Sequence, residues 1–425
     1  MKQVADLLIK NASELLTLTG PARARRGQEM EDIGVCSGGA VAAFDGEIVA
    51  VGPTEKVLEE ITLTPYAEVM DAYGKVVMPG MVDPHTHLVF GGSREDEFEQ
   101  RLQGADYLEI LEKGGGILST VRSTRETSFK ELLANARKNL HYFIKCGVTS
   151  LEVKSGYGLD LDTEMKQLKV AHYLSQVAPV DMALTFLGAH AFPLEYRDNR
   201  DAYVDLVVNE MLPAVAAEGL AEFCDVFCEE KIFTVEQSFR VLEAGKEKKL
   251  KPKIHADEIV PYGGAELAAR VGAVSADHLL QVSTRGIEQM AEKQVIGVLL
   301  PGTAFFLMKD QYAPAREMIE AGVPVALSTD RNPGSSPTEA IHLIMALACL
   351  QMKMTPAEIM TAVTINAAYA INRGDLLGSL EIGKQADLLV IDAPNYRYIP
   401  YHYGMNMVER VYKKGQKILD WKNYA

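Results

Sequence analysis

Short apolar runs recur through the middle of the chain, and most of them break off in polar side chains. Each run is brief and rich in β-branched or aromatic residues, which favours a buried strand over a helix. The candidate strands are Met81–Asp83, Thr149–Val153, Asp181–Leu187, Asp225–Phe227, Pro252–Ile254, Ala273–Ala276, Val295–Leu300 and Val323–Thr329. Helical patterns lie between most of them: Phe129–Ile144, Leu161–Gln176, Ala202–Ala217, Val235–Lys248, Gly264–Val271, Thr284–Lys293, Tyr312–Ala321 and Pro337–Gln351. Pro337 follows Ser335-Ser336, so the last of these reads as a helix with a serine N-cap and proline in its first turn. Strands alternating with helices predict an α/β fold whose parallel sheet closes as a (β/α)8 TIM-like barrel. The ends of the chain read differently. Ala40–Phe44, Asp45-Gly46 and Glu47–Gly52 form a hairpin pattern, and Ala386–Ile391 and Val408–Tyr412 flank further turns such as Lys414-Gly415-Gln416. These runs predict a small β-sandwich domain built from both termini, residues 1–79 with 373–425, around a barrel of residues 80–372.

Composition narrows the function classes. With 425 residues, 48% of them hydrophobic and 24% charged, the chain can bury a large core. A net charge of −15 argues against nucleic acid and against an anionic membrane surface as partners. It leaves room for a small anionic substrate met by a local arginine. The cysteines Cys36, Cys146, Cys224, Cys228 and Cys349 are odd in number, as expected of reduced thiols in a cytoplasmic protein. The first residues lack the apolar core of a signal peptide, and no apolar run approaches membrane-spanning length. No Gly-x-Gly-x-x-Gly follows the first strand, so dinucleotide binding lacks its signature.

Chemistry-bearing residues gather where the predicted strands stop. His85 and His87 follow strand one, Lys154 and Tyr157 strand two, His190 strand three, His255 and Glu258 strand five, His278 strand six, and Asp330 strand eight. In a barrel these positions share one rim, where active sites are assembled. His85, His87, His255 and Asp330 offer three imidazoles and one carboxylate, a donor set for one divalent ion with a position left for water. Asp330, Glu258 and His278 are the candidate proton-transfer groups. Arg94, Tyr107 and Tyr157 could hold a substrate carboxylate, although Arg94 could instead pair locally with Glu95 or Asp96. Gly114-Gly115-Gly116 lacks a Gly-Lys-Ser/Thr ending and reads as a lid. Cys224 and Cys228 read as buried thiols, and His141, His172 and His342 as structural.

Several strings carry a family resemblance. Pro79-Gly80-Met81-Val82-Asp83-Pro84-His85-Thr86-His87 resembles the metal motif of the amidohydrolase superfamily. His85–Arg94, Glu152–Gly158, Lys253–Glu258, Ser275–Leu279 and Asp330-Arg331-Asn332-Pro333-Gly334-Ser335 are similar to the imidazolonepropionase family within it, and the likeness runs through the whole chain. The resemblance implies hydrolytic opening of 4-imidazolone-5-propanoate to N-formimidoyl-L-glutamate in histidine degradation. It implies one zinc or iron ion on His85, His87, His255 and Asp330, and a homodimer. It assigns substrate contacts to Arg94, Tyr107, Tyr157, His190, Glu258, His278, Asn332, Gly334 and Ser335. Arg94, Tyr157 and Ser335 would hold the propanoate, His190 and Glu258 would face the ring, and His278 would polarise the carbonyl or relay a proton. Arg331 departs from the family pattern, and an extended strand end would point it away from Asp330. Lys154 would stay unmodified at a mononuclear site. A deaminase leaves Arg94 unexplained, and a bimetallic hydantoinase would need a modified Lys154. A non-catalytic scaffold would have no use for the intact acid–base set.

Overall fold

The computed structural model describes residues 2–104 and 115–420. Its centre is an eight-stranded sheet whose strands follow one another in chain order, every adjacent pair parallel. The strands are Met81–Asp83, Val148–Lys154, Asp181–Ala189, Phe223–Cys228, Lys251–Ala256, Ser275–His278, Ile296–Leu299 and Val325–Leu327. Each lies within or overlaps a run singled out from the sequence. Closure comes just past the ends of the first and last strands. Thr86 pairs with Arg331 in parallel, and the His87 N–H donates to the Arg331 carbonyl at 2.9 Å. Asp83 reinforces this seam by accepting hydrogen bonds from the hydroxyls of Ser328 and Thr329.

Helices between the strands lie close to their predicted positions. Gly264–Val271 and Thr284–Lys293 coincide with them, and Phe129–Lys145 opens on a Ser128–Glu131 capping box. The 202–217 pattern is interrupted: α-helix Arg200–Leu206 passes through a wide π turn, Val207–Met211, into Leu212–Glu218. Pro213, which lacks an N–H, sits just beyond that turn and removes a regular donor.

No serine-capped helix starts at Pro337, contrary to the expectation from the sequence. The helix is Ile341–Met352 and follows Ala340. The two serines are engaged elsewhere. Ser336 donates its hydroxyl to the Thr329 carbonyl at 2.6 Å, and Ser335 is bonded to Asn332. The segment before the helix therefore belongs to the rim loop after strand eight.

Both ends of the chain build two further sheets. One is ordered Glu47–Pro53, Gly39–Phe44, Gln3–Ala12, Ile61–Asp71. The other is ordered Gln416–Asp420, Val408–Lys413, Leu388–Ile391, Val76–Pro79, Glu14–Leu16, Val35–Cys36. Leu7, Ile9 and Val41 of the first pack with Leu15, Val77, Leu388 and Val390 of the second in one buried cluster, which makes a sandwich. Asp45 (φ 51°) and Gly46 (φ 85°) turn the expected hairpin, both in the left-handed region that a tight two-residue turn needs. Lys413 ties the sandwich to the barrel, with its ammonium 2.7 Å from Asp181 at the start of strand three and 2.6 Å from Asp387.

Candidate metal-dependent active site

The first, fifth, sixth and eighth strands deliver the metal-type donors to one rim. His85 and His87 lie just beyond strand one, His255 is the penultimate residue of strand five, His278 ends strand six, and Asp330 follows strand eight. All five are buried. One ligand atom each from His85, His87 and His255 lie within 4.8 Å of one another, and the same holds for His85, His278 and Asp330. Asp330 Oδ1 lies 3.5 Å from His85 Nε2 and 3.8 Å from His87 Nε2. The four expected ligands thus converge. His278, read from sequence as a substrate or proton-transfer residue, is drawn within the same reach.

The ring orientations follow from what lies behind them. Asp277 holds His85 Nδ1 at 2.6 Å, and Asp225 holds His255 Nδ1 at 3.0 Å. Each Nδ1–H is thereby committed, and each Nε2 becomes the free lone pair facing the centre. Asp330 Oδ2 accepts from the Thr303 hydroxyl at 2.6 Å, which leaves Oδ1 toward the imidazoles. Among the described residues, His85 Nε2, His87 Nδ1, His255 Nε2 and His278 Nδ1 are buried without a hydrogen-bond partner. Buried nitrogens of this kind are costly unless something accepts their lone pairs. One divalent cation meets that need.

Burial sets the protonation states. It pushes His85, His87 and His278 well below the usual histidine range, so all three are neutral donors. His255 also feels burial, but the Asp225 carboxylate outweighs it and raises its pKa. Burial lifts Asp330 to about 7 against the hydrogen bond from Thr303. Burial and the Asp330 charge lift Glu258 to about 8. Glu258 Oε2 sits 3.6 Å from His278 Nδ1, so two of the candidate proton-transfer groups are neighbours.

An aromatic wall stands beside the ligands. His190 stacks on His87 with ring centroids 5.0 Å apart and 9° between planes, and Tyr157 lies 5.4 Å from both. The loop that carries Tyr157 is held from below by two residues the sequence reading did not single out. Glu164 accepts the N–H groups of Gly156, Gly158 and Leu159 at 3.0, 2.8 and 2.9 Å. Gln167 accepts the Tyr157 N–H at 3.1 Å and donates to the Val89 carbonyl at 2.6 Å. The available signal was a Glu and a Gln spaced i, i+3 next to Met165 and Leu168, on the buried face of the helix.

Arg94 forms its ion pair with Glu97, through Nε at 2.9 Å and Nη2 at 2.7 Å, and not with Glu95 or Asp96. The other Glu97 oxygen accepts the Gly116 N–H at 3.1 Å. The guanidinium lies against Gly334, where an added Cβ would overlap Nη1. Asn332 folds the same loop: its Oδ1 accepts the N–H groups of Gly334 and Ser335, both at 2.8 Å. Tyr107 and Gly114 lie outside the described residues.

Arg331 points off the ligand cluster, as expected, but for a different reason. Asp330 has a φ of 52°, so the backbone bends there and is not an extended strand end. Arg331 then pairs with Glu339 at 2.6 Å and covers the Phe90 ring at 5.2 Å.

Buried imidazoles, the two acids Asp330 and Glu258 titrating near neutrality, and an arginine against the rim loop suit hydrolysis of a small anionic amide. Comparisons with known proteins agree. Residues 267–418 match the model of the amidohydrolase family. An imidazolonepropionase of Geobacillus sp. (strain WCH70) is 56% identical over 97% of this chain and 98% of its own length. That of Alkaliphilus oremlandii (strain OhILAs) is 50% identical over 98% and 99%. Among solved structures, a zinc-bound adenosine deaminase from Xanthomonas campestris superposes with a TM-score of 0.72 at 20% identity, covering 99% of this chain and 94% of its own. E. coli guanine deaminase gives 0.71 at 14%, covering 97% and 98%. At those identities the likeness concerns the fold.

Proposed function

The chain belongs to the imidazolonepropionase family, and on that premise we propose how its site opens the ring of 4-imidazolone-5-propanoate to N-formimidoyl-L-glutamate. The observation that carries the reading is the approach of Asp330 Oδ1 to the buried, unpartnered His85 Nε2 and to His87 Nε2. His85, His87, His255 and Asp330 would hold one ion, zinc or iron, with His278 within reach. When bound, the ion supplies Lewis acidity to the ring carbonyl and brings the pKa of water toward neutrality.

The remaining work falls to side chains. Arg94, with Tyr157 and Ser335, fixes the propanoate and so sets the ring against the cluster. His190, in register with His87, presents a flat face to the planar ring. Asp330 takes the proton that the attacking water loses as its oxygen bonds to the carbonyl carbon. His278, neutral through burial, steadies the carbonyl oxygen as charge develops there. Glu258 carries a proton near neutral pH, and its delivery to the ring nitrogen lets the carbon–nitrogen bond break. The products are a free carboxylate and the formimidoyl group still attached to the glutamate nitrogen.

The test is loss of the imidazolone absorbance by protein carrying one metal equivalent. Turnover that stops on adding a chelator and returns with zinc or iron supports the reading. No turnover by the metal-loaded protein defeats it.

The free state of all five cysteines supports a reducing, cytoplasmic setting. Tyr401 and Tyr403, 78% and 70% exposed, support a homodimer contact in the C-terminal aromatic stretch, which light scattering would check.

A further inference from the structure

Beneath the ligand cluster lies a buried group of charges that the reaction scheme does not use. Lys154, on strand two, is fully buried, and its ammonium lies 2.7 Å from Asp225, 2.9 Å from Glu152 and 3.4 Å from Asp277. Asp225 and Asp277 are the two carboxylates that hold the Nδ1 atoms of His255 and His85. One cation therefore touches the supports of two ligands that come from strands five and one. Lys253, equally buried, completes the group by bonding Glu152 at 2.6 Å and the Pro84 carbonyl at 3.2 Å, one residue before His85.

We propose that Lys154 is a positioning residue that locks His85 and His255 in the tautomer and orientation a metal ion requires. The proposal rests on the metal reading above. Three physical arguments support it. First, removing one partner of a buried charge cluster leaves the others unpaired, so the arrangement has one low-energy geometry. Asp225 and Asp277 cannot swing away from the imidazoles without abandoning the ammonium. Second, the acids outnumber the ammonium groups: Glu152, Asp225 and Asp277 face Lys154 and Lys253. Two of those acids lie directly behind the rings, where their hydrogen bonds raise the basicity of both Nε2 atoms toward a cation. Third, an ammonium shared among three acids has no free lone pair. Lys154 is thus no nucleophile for carbon dioxide and no carbamate bridge, and the site takes a single ion.

The experiment uses cobalt(II), whose visible bands report ligand geometry, on the full-length protein stripped of metal. Affinity is read by competition with a chelator, the bands by absorption, and stability by thermal unfolding of the metal-free form. Lys154→Met is expected to weaken cobalt binding by about 10- to 100-fold and to shift the bands. Asp277→Asn, which leaves Lys154 paired with Asp225 and Glu152, is expected to do the same to a smaller degree. If Lys154→Met does not fold, Lys154→Arg, which keeps the cation but displaces it from the three acids, carries the test: weaker cobalt binding with shifted bands supports the lock, and unchanged affinity and bands overturn it. A purely structural lysine would lower the unfolding temperature and leave the affinity and bands of the folded fraction unchanged, and that result overturns the proposal. Cobalt uptake of two equivalents, or uptake that needs bicarbonate, also overturns it. Failure of the wild-type chain to bind cobalt at all removes the metal reading itself.

Discussion

Gly334→Ala tests the proposed carboxylate clamp without touching a charged group. A Cβ on Gly334 would overlap Arg94 Nη1 and come within 2.8 Å of Cζ. Comfortable contact for such atoms begins near ~3.5 Å. Cζ must therefore retreat by about 0.7 Å, and Nη1, which is nearer, by more. Gly334 has no positive φ, so alanine suits its backbone, and the stiffer unfolded chain adds about 0.4–1 kcal/mol to stability. The fold is spared and the arginine fork is displaced. That displacement breaks or lengthens one charge-assisted hydrogen bond to the propanoate, worth about 1.5–3 kcal/mol. At about 1.4 kcal/mol per factor of ten, KM should rise by roughly 10- to 150-fold. The chemical groups stay in place, so kcat should change far less. Steady-state loss of imidazolone absorbance and a thermal melt supply both numbers. The control is a double-mutant cycle: in an Arg94→Ala background, Gly334→Ala should cost almost nothing further. A full additional loss there, or an unchanged KM in the single variant, would refute the clamp.

Other outcomes follow from the same geometry. Glu164→Ala strips three buried N–H groups of their acceptor and should cost about 2–4 kcal/mol with a fall in kcat/KM, read by denaturant unfolding and kinetics; unchanged stability would show that the loop folds without it. Arg331→Phe leaves Glu339 without its partner and should lower stability while the metal titration keeps its end point and affinity, because the guanidinium faces Phe90. In metal-free protein Glu258 holds its proton up to about pH 8, against an ordinary value of 4.5. The native state therefore binds a proton that the unfolded chain releases: the stabilisation is complete below pH 4.5 and drains away as pH rises through 8. The unfolding temperature of the metal-free form should fall between about pH 4.5 and 8, and fall less steeply in Glu258→Gln; parallel curves would exclude Glu258 as a source.

The barrel was legible because its strands are short apolar runs and its rim residues interrupt them abruptly. His85, His87, His255 and Asp330 each stand where an apolar strand has no packing reason to end in that side chain, so their convergence could be read before any coordinates. The supports were not legible. Asp225 and Asp277 sit inside strands as buried acids, and their partners, His255 and His85, lie 30 and 192 positions away in sequence. No local spacing encodes such a pair. Glu97 hid in an acidic helix turn with Glu95 and Asp96, where three equivalent carboxylates compete for Arg94 and only the fold chooses among them. The misplaced helix start at Pro337 has the same origin. Serine before proline is a strong local signal, and here the rim loop captured both hydroxyls first.

The sandwich has a consequence for how the chain is made. Val76–Pro79 hydrogen-bonds to Leu388–Ile391, which a ribosome delivers only after the entire barrel has emerged. The barrel can be zipped in the order of synthesis, strand upon neighbouring strand, while the early apolar edge waits open throughout. A nascent polypeptide stalled or cut before residue 388 would keep every ligand histidine and still present that edge to its neighbours, a seed for aggregation more than a weakened catalyst.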